Sequence, residues 1–217
     1  QNVWARADDE YFLRESSTNI VWHTEGITNF DDDGPLILIQ DISESIDSEG
    51  ATQVFIYTVN ADYLFANCTA AFEKLGLNIH GARIFTSSNN HCLDTFTVLE
   101  SNGRPVGNNV KRIEEIKSAL ITHLNADNTT TAPILFRRSR KEKYFAKSIE
   151  VTFVNTPEKN YSTLEINCPD QTGILASVGK ILASKNLPAV VVYFSIFLFP
   201  FSSTVSNLET IVECTFI

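Results

Sequence analysis

The chain repeats itself, and that repeat narrows the possible folds more than any other feature. Val54-Phe55-Ile56-Tyr57 returns 110 positions later as Leu164-Glu165-Ile166-Asn167, and Leu64-Phe65-Ala66 returns at the same offset as Ile174-Leu175-Ala176. In both copies a strand-like run leads through a short polar loop into apolar residues at helical spacing.

The first copy is the fuller one. Residues 53–58 are β-branched and aromatic, which predicts a strand, and Val59-Asn60-Ala61-Asp62 is the loop after it. Leu64, Phe65, Cys68, Phe72 and Leu75 then recur at helical spacing until Gly76 ends the helix. Two strands are expected at 78–86 and 93–100, joined across Ser87-Ser88-Asn89-Asn90. A second helix is expected over 109–124, capped by Asn108 or Asn109, with Ile113, Ile116, Leu120 and Leu124 on one stripe. Residues 131–136 are read as the returning last strand. The order predicts an α+β fold, a ferredoxin-like βαββαβ unit with two helices on one face of an antiparallel sheet.

The second copy offers strands at 149–155 and 161–167 and a helix at 174–184. After Asn186 the parallel fades into the apolar run 188–201, so this unit is expected to be incomplete. The chain therefore divides into five parts. Residues 1–50 are read as the end of a preceding helical domain plus linker, and 51–136 as the first unit. A basic linker at 137–146 follows, then a partial second unit at 147–187 and an atypical apolar tail at 188–217. Helix-like sequence begins at once without an initiating methionine, which predicts that the chain continues something upstream.

Composition excludes some functions. A net charge of −9 argues against general nucleic-acid binding, which needs a basic face to displace counterions. The run 188–201 is shorter than the roughly twenty apolar residues of a spanning helix, so no membrane anchor is expected and a strand is the better reading. Cys68, Cys92, Cys168 and Cys214 have no zinc-site spacing and read as buried thiols of a reducing, cytoplasmic compartment.

Specific segments resemble one family. Tyr11-Phe12-Leu13-Arg14 and Ile20-Val21-Trp22-His23 look like the close of the phosphohydrolase (HD) domain of protein-PII uridylyltransferases. Thr52-Gln53-Val54-Phe55-Ile56-Tyr57-Thr58 is similar to the opening strand of that family's first ACT domain. The strongest match is Leu77-Asn78-Ile79-His80-Gly81-Ala82-Arg83-Ile84-Phe85-Thr86. Leu93-Asp94-Thr95-Phe96 and Asn102-Gly103-Arg104-Pro105 continue it, and Asp170-Gln171-Thr172-Gly173-Ile174-Leu175-Ala176 is similar to the family's second-module loop.

The resemblance implies tandem ACT modules, which pair with one another and sense glutamine or a similar small amino acid. The parent enzyme attaches UMP to the PII signalling protein and removes it, with Mg²⁺ implied for its catalytic domains. This chain has no Gly-Ser dipeptide and no adjacent His-Asp pair, and Asp31-Asp32-Asp33 sits in a turn-rich stretch. Neither half-reaction is expected of it, and no cofactor or metal. What remains is effector binding beside the first strand–helix loop, where helix N–H groups and the dipole accept a carboxylate. That predicts Asn60, Ala61, Asp62, Tyr63 and Leu64 in the first module and Asp170, Gln171, Thr172, Gly173, Ile174 and Leu175 in the second. His80, Gly81 and Ala82 would face a neighbouring module's loop, and Asp62 is also read as the helix N-cap. An incomplete second module further predicts weak or no glutamine binding by this chain. The alternative reading is a stand-alone ACT-type binding and dimerisation module.

Overall fold

A computed structural model describes residues 9–31, 34–42, 50–125, 150–156, 161–169, 174–185, 189–198 and 208–216. Two helices come first, α1 (Asp9–Arg14) and α2 (Ser17–Thr28). The first module follows as β1 (Leu36–Ile42), β2 (Ala51–Val59), α3 (Leu64–Lys74), β3 (Leu77–Arg83), β4 (His91–Glu100) and α4 (Val110–Leu124). The second comprises β5 (Glu150–Thr156), β6 (Tyr161–Pro169), α5 (Ile174–Ser184), β7 (Ala189–Leu198) and β8 (Leu208–Phe216). Each module has a four-stranded antiparallel sheet, and the strand orders, β1-β2-β4-β3 and β5-β6-β8-β7, are equivalent. The fold is α+β with ferredoxin-like sheets, and the repeated segments lie on β2–α3 and β6–α5.

Two features differ from the sequence reading. The edge beside β2 is taken by β1, in register from Leu36 opposite Tyr57 to Ile42 opposite Ala51. Residues 131–136, expected there, lie outside the described residues, as does the basic linker. The Leu36-Ile37-Leu38-Ile39 run needs a partner edge, and β2 is the next strand along the chain, so a hairpin closes with little loop entropy. Residues read as linker therefore belong to the first sheet. Likewise the stretch read as a tail supplies two strands, β7 and β8, with β8 paired along β6. The second module thus has four strands and one helix, with no counterpart of α4 among the described residues.

Burial explains the first module's architecture. Six consecutive residues of β2, Ala51 to Ile56, are buried, so both faces of this strand are covered. Val54 and Ile56 join Cys92, Phe96 and Val98 of β4 under α3 and α4. Phe55 and Leu93 point the other way, into a cluster with Tyr11 and Phe85 that α1 and α2 cover. Gly76, at φ +71°, lets the chain leave α3 and turn directly into β3. The expected cap of α4 is Asn109, whose Oδ1 accepts from the Arg112 amide at 3.3 Å.

The first-face cluster runs on into the second module through Ile166, Ile174, Val178 and Leu182. Helix α5 lies against α3, and edge strand β3 lies beside edge strand β7. The helix contact is close: a Cβ at Gly179 would stand 2.8 Å from the Phe65 ring and 3.3 Å from Ala66 Cα.

Candidate functional site

The loop after β2 carries the chain from the sheet's end into α3. Its turn is made by Tyr63 at φ 63°, a left-handed conformation that a bulky side chain adopts only when its surroundings impose it. Tyr63, not Asp62, is the N-cap residue, and its side chain makes no capping hydrogen bond. The sequence reading of Asp62 as N-cap is corrected here: the left-handed turn falls one residue later. Strain of this kind is expected to be removable. Tyr63→Gly should raise stability by about 1 kcal/mol, readable as a thermal midpoint about 2–4 °C higher.

Beside this helix start lies a cavity of about 630 Å³. Asn60, Ala61, Asp62, Tyr63 and Leu64, the five residues expected of the first module, all line it. Ile84, Thr86, Cys92 and Asp94 form the sheet wall, and Gly179, Leu182 and Ala183 of α5 form the opposite one. The second module therefore contributes to the site through its helix, which the sequence reading did not foresee. The Asn60 Oδ1 accepts from the Cys92 thiol at 3.3 Å, so the side-chain amide nitrogen is what Asn60 offers the cavity.

The other expected residues are placed differently. Ile174 is buried in the shared core and Leu175 packs against it. Asp170, Gln171, Thr172 and Gly173 lie outside the described residues. His80, Gly81 and Ala82 are on β3, away from the cavity, with His80 exposed and Ala82 buried opposite Phe96. A bulge between Ile79 and Gly81 shifts this strand's register against β4.

The residue missed by sequence reasoning is Asp94. It is fully buried, opposite Ile56 in the register, and neither carboxylate oxygen has a hydrogen-bond partner. Burial pushes its carboxyl well above the usual range, and the Phe85 backbone amide, near but outside hydrogen-bond geometry, offsets only part of that. The neighbouring thiols of Cys68 and Cys92 are pushed up too, by their own burial first and then by Asp94. A charged residue type at an inward position of an otherwise apolar strand was the available signal. Among the described residues no group of three or more His, Cys, Asp or Glu side chains is placed to hold a metal ion, and no helix is long and apolar enough to cross a membrane.

A second polar cluster ties α1 and α2 to the sheet's other face. The Tyr11 hydroxyl lies 2.6 Å from His23 Nδ1, and the His23 ring stacks on Phe55 at 3.6 Å. Glu15, whose side chain is fully covered, accepts from Arg83 Nε at 2.8 Å and from Asn19 at 2.9 Å. Burial lowers the pKa of His23 to about 4, against an upward pull from Glu15 and a further downward push from Arg83.

Known proteins resemble this chain in an ordered way. The family described as the uridylyltransferase GlnD fifth domain matches residues 1–26. The chain is 42% identical over 188 residues to a bifunctional uridylyltransferase/uridylyl-removing enzyme of Stutzerimonas stutzeri (strain A1501). Enzymes of the same description are 39% identical in Pseudomonas fluorescens and, over 190 residues, 40% identical in Azotobacter vinelandii. Each comparison covers 86% of this chain and 21% of the relative. The chain thus spans about a fifth of the length of the curated relatives it matches. A crystal structure of aspartate kinase from Synechocystis aligns with a TM-score of 0.41 and 14% identity, over 76% of this chain and 24% of that one.

Proposed function

We propose that this chain, kin over most of its length to one segment of the bifunctional uridylyltransferase/uridylyl-removing enzymes, is the glutamine-sensing regulatory region of such an enzyme. The enzyme's reactions, attaching UMP to the PII signalling protein and removing it, belong to parts of the relatives that this chain does not span. Its own part is to bind a small amino acid and bias the attached catalytic domains, in the cytoplasm. The observation that carries this reading is the cavity at the start of α3, lined by all five first-module residues expected to hold an effector.

Physical chemistry supports the choice of ligand. A helix start presents the positive end of a dipole, which suits a carboxylate. The Asn60 amide nitrogen can donate to the side-chain carbonyl of glutamine. The paired modules enclose the site with α3 on one side and α5 on the other, so a ligand there senses how the two helices pack.

The signal has a short way to travel. On β4, Asp94 lines the cavity, whereas its neighbour Leu93 packs in the cluster under α1 and α2. On β2, Ile56 faces the helices above the cavity and Phe55 stacks on His23. Adjacent residues of the same strands thus face the effector and the helices that lead from the preceding region. A ligand shifts the equilibrium by its differential affinity for two arrangements of those helices, and by no more than that.

Titration calorimetry with L-glutamine on the 217-residue chain tests this reading. Because the cavity is formed within this chain, saturable binding is expected although the second module shows no counterpart of α4 among the described residues. Absence of heat, and of any thermal shift at millimolar glutamine, would sink the sensing reading.

A further inference from the structure

We propose that this cavity selects a zwitterionic α-amino acid, with the Asp94 carboxylate as the anchor for the ligand's ammonium group and the first turn of α3 as the seat of its carboxylate. The proposal rests on the sensing reading above and names the specificity residue of that site.

A carboxyl group buried with both oxygens unpartnered is costly, and such groups persist where something else completes them. Nothing in the local fold requires Asp94. Its cross-strand partner is Ile56, and its neighbours on the same face of β4 are Cys92 and Phe96, so an apolar residue would pack there with less penalty. The cavity therefore carries two features that suit opposite charges: a buried carboxyl on the sheet wall and the positive end of the α3 dipole beside it. A zwitterion matches both and brings no net charge into the interior. A ligand without an ammonium group leaves Asp94 unanswered.

An ammonium at hydrogen-bond distance favours the anionic carboxylate, opposing the upward push that burial gives Asp94. The other titratable groups facing it are Cys68 on α3, Cys92 on β4 and Asp62 at the loop. Both thiols are held neutral by burial, so neither substitutes as an anion.

The repeat supplies an internal comparison. Ile56 pairs with Asp94 across the first sheet, whereas the equivalent Ile166 pairs with Val212 across the second. The anchor has no counterpart in the second sheet, which leads to one ligand per chain.

The test uses the 217-residue chain, L-glutamine, N-acetyl-L-glutamine and the variant Asp94→Asn. L-glutamine should bind one to one, and N-acetyl-L-glutamine should not compete. Asp94→Asn keeps the shape and should fold with an unchanged or higher thermal midpoint, yet bind L-glutamine about 100-fold more weakly, as for loss of one partner of a buried charge pair. Should N-acetyl-L-glutamine bind as well as L-glutamine, or Asp94→Asn bind unimpaired, the ammonium anchor is overturned while the sensing reading stands. If none of the twenty amino acids binds the unaltered chain, both fail together.

Discussion

Replacing Gly179 with leucine is expected to destabilise the chain by about 3 kcal/mol and to abolish ligand binding, although the same change should strengthen the helix that carries it. The two effects have opposite signs, and geometry decides between them. Glycine inside a helix is less favourable than an ordinary residue by about 1 kcal/mol, so in an isolated α5 the substitution would stabilise. In the folded chain a Cβ at this position would stand 2.8 Å from Phe65 Cδ1 and 3.3 Å from both Ala66 Cα and Cβ. The Phe65 ring can rotate aside, but the Ala66 backbone cannot move without shifting α3. Overpacking of this kind costs about 1–3 kcal/mol, and leucine adds three more carbons where Gly179 lines the cavity. Urea denaturation followed by circular dichroism measures the first effect, and calorimetry with L-glutamine the second. A variant as stable as the parent would mean that α3 and α5 do not pack as described.

Much of this architecture was legible in the sequence, and the reasons for the rest are physical. The repeat marked β2–α3 and β6–α5 because strand and helix periodicities are local properties of the chain. Sheet order is not local. The second copy was read with a strand ahead of its repeated segment, the observed β5, yet the corresponding strand of the first copy, β1, was taken as linker. Laying one copy on the other at that offset puts 149–155 on 39–45, which overlaps β1 only at residues 39–42, because the connection to the next strand is longer in the first copy. The run 188–201 was hard to place for a related reason. A nearly continuous apolar stretch has no alternation, so periodicity cannot say which strand it joins. Its register with β8 comes from tertiary pairing.

The site divides in the same way. Asn60, Ala61, Asp62, Tyr63 and Leu64 were found because a strand–loop–helix junction is visible along the chain. Asp94 and Gly179 were missed because each reaches the cavity from a segment remote from that loop, one on β4 and one on α5 of the other module. Asp94 carried a signal nonetheless. The pattern Cys92-Leu93-Asp94-Thr95-Phe96 places an acidic residue in step with Cys92 and Phe96 on the inward face of a strand. Tyr63 carried none, since no sequence rule places tyrosine in a left-handed turn.

Acidification is expected to weaken the hold of α1 and α2 on the sheet by about 3 kcal/mol between pH 7 and pH 4, with His23 as the cause. This histidine is fully buried and stacks on Phe55, and its Nε2 has no hydrogen-bond partner. Desolvation lowers its folded pKa to about 4 from the ordinary 6.5. The unfolded chain therefore binds the proton more tightly between those values. Stability is fully present above about pH 6.5, and it falls as pH drops through the window, by about 1.4 kcal/mol for each unit of pKa difference. Burial and the charge of Glu15 raise the pKa of the Tyr11 hydroxyl, so it keeps its proton beside Nδ1, donating or accepting with the imidazole tautomer. Protonation leaves a buried cation stacked on Phe55, with Nδ1–H turned to donate to the Tyr11 hydroxyl and no polar partner at Nε2. Denaturation midpoints measured from pH 7.5 to pH 4 on the parent chain and on His23→Phe isolate the effect. Phenylalanine keeps the stack without the titration, so the difference in slope between the two belongs to His23. Parallel slopes would mean that the imidazole is solvated or already paired in the folded chain, and that α2 does not rest on Phe55 as placed here. The same measurement bears on signalling, because α1 and α2 fall largely within residues 1–26, the span matched by the family of the preceding domain. If ligand affinity changes when sheet and helices separate at low pH, the contact between Phe55 and His23 couples the proposed effector site to α1 and α2.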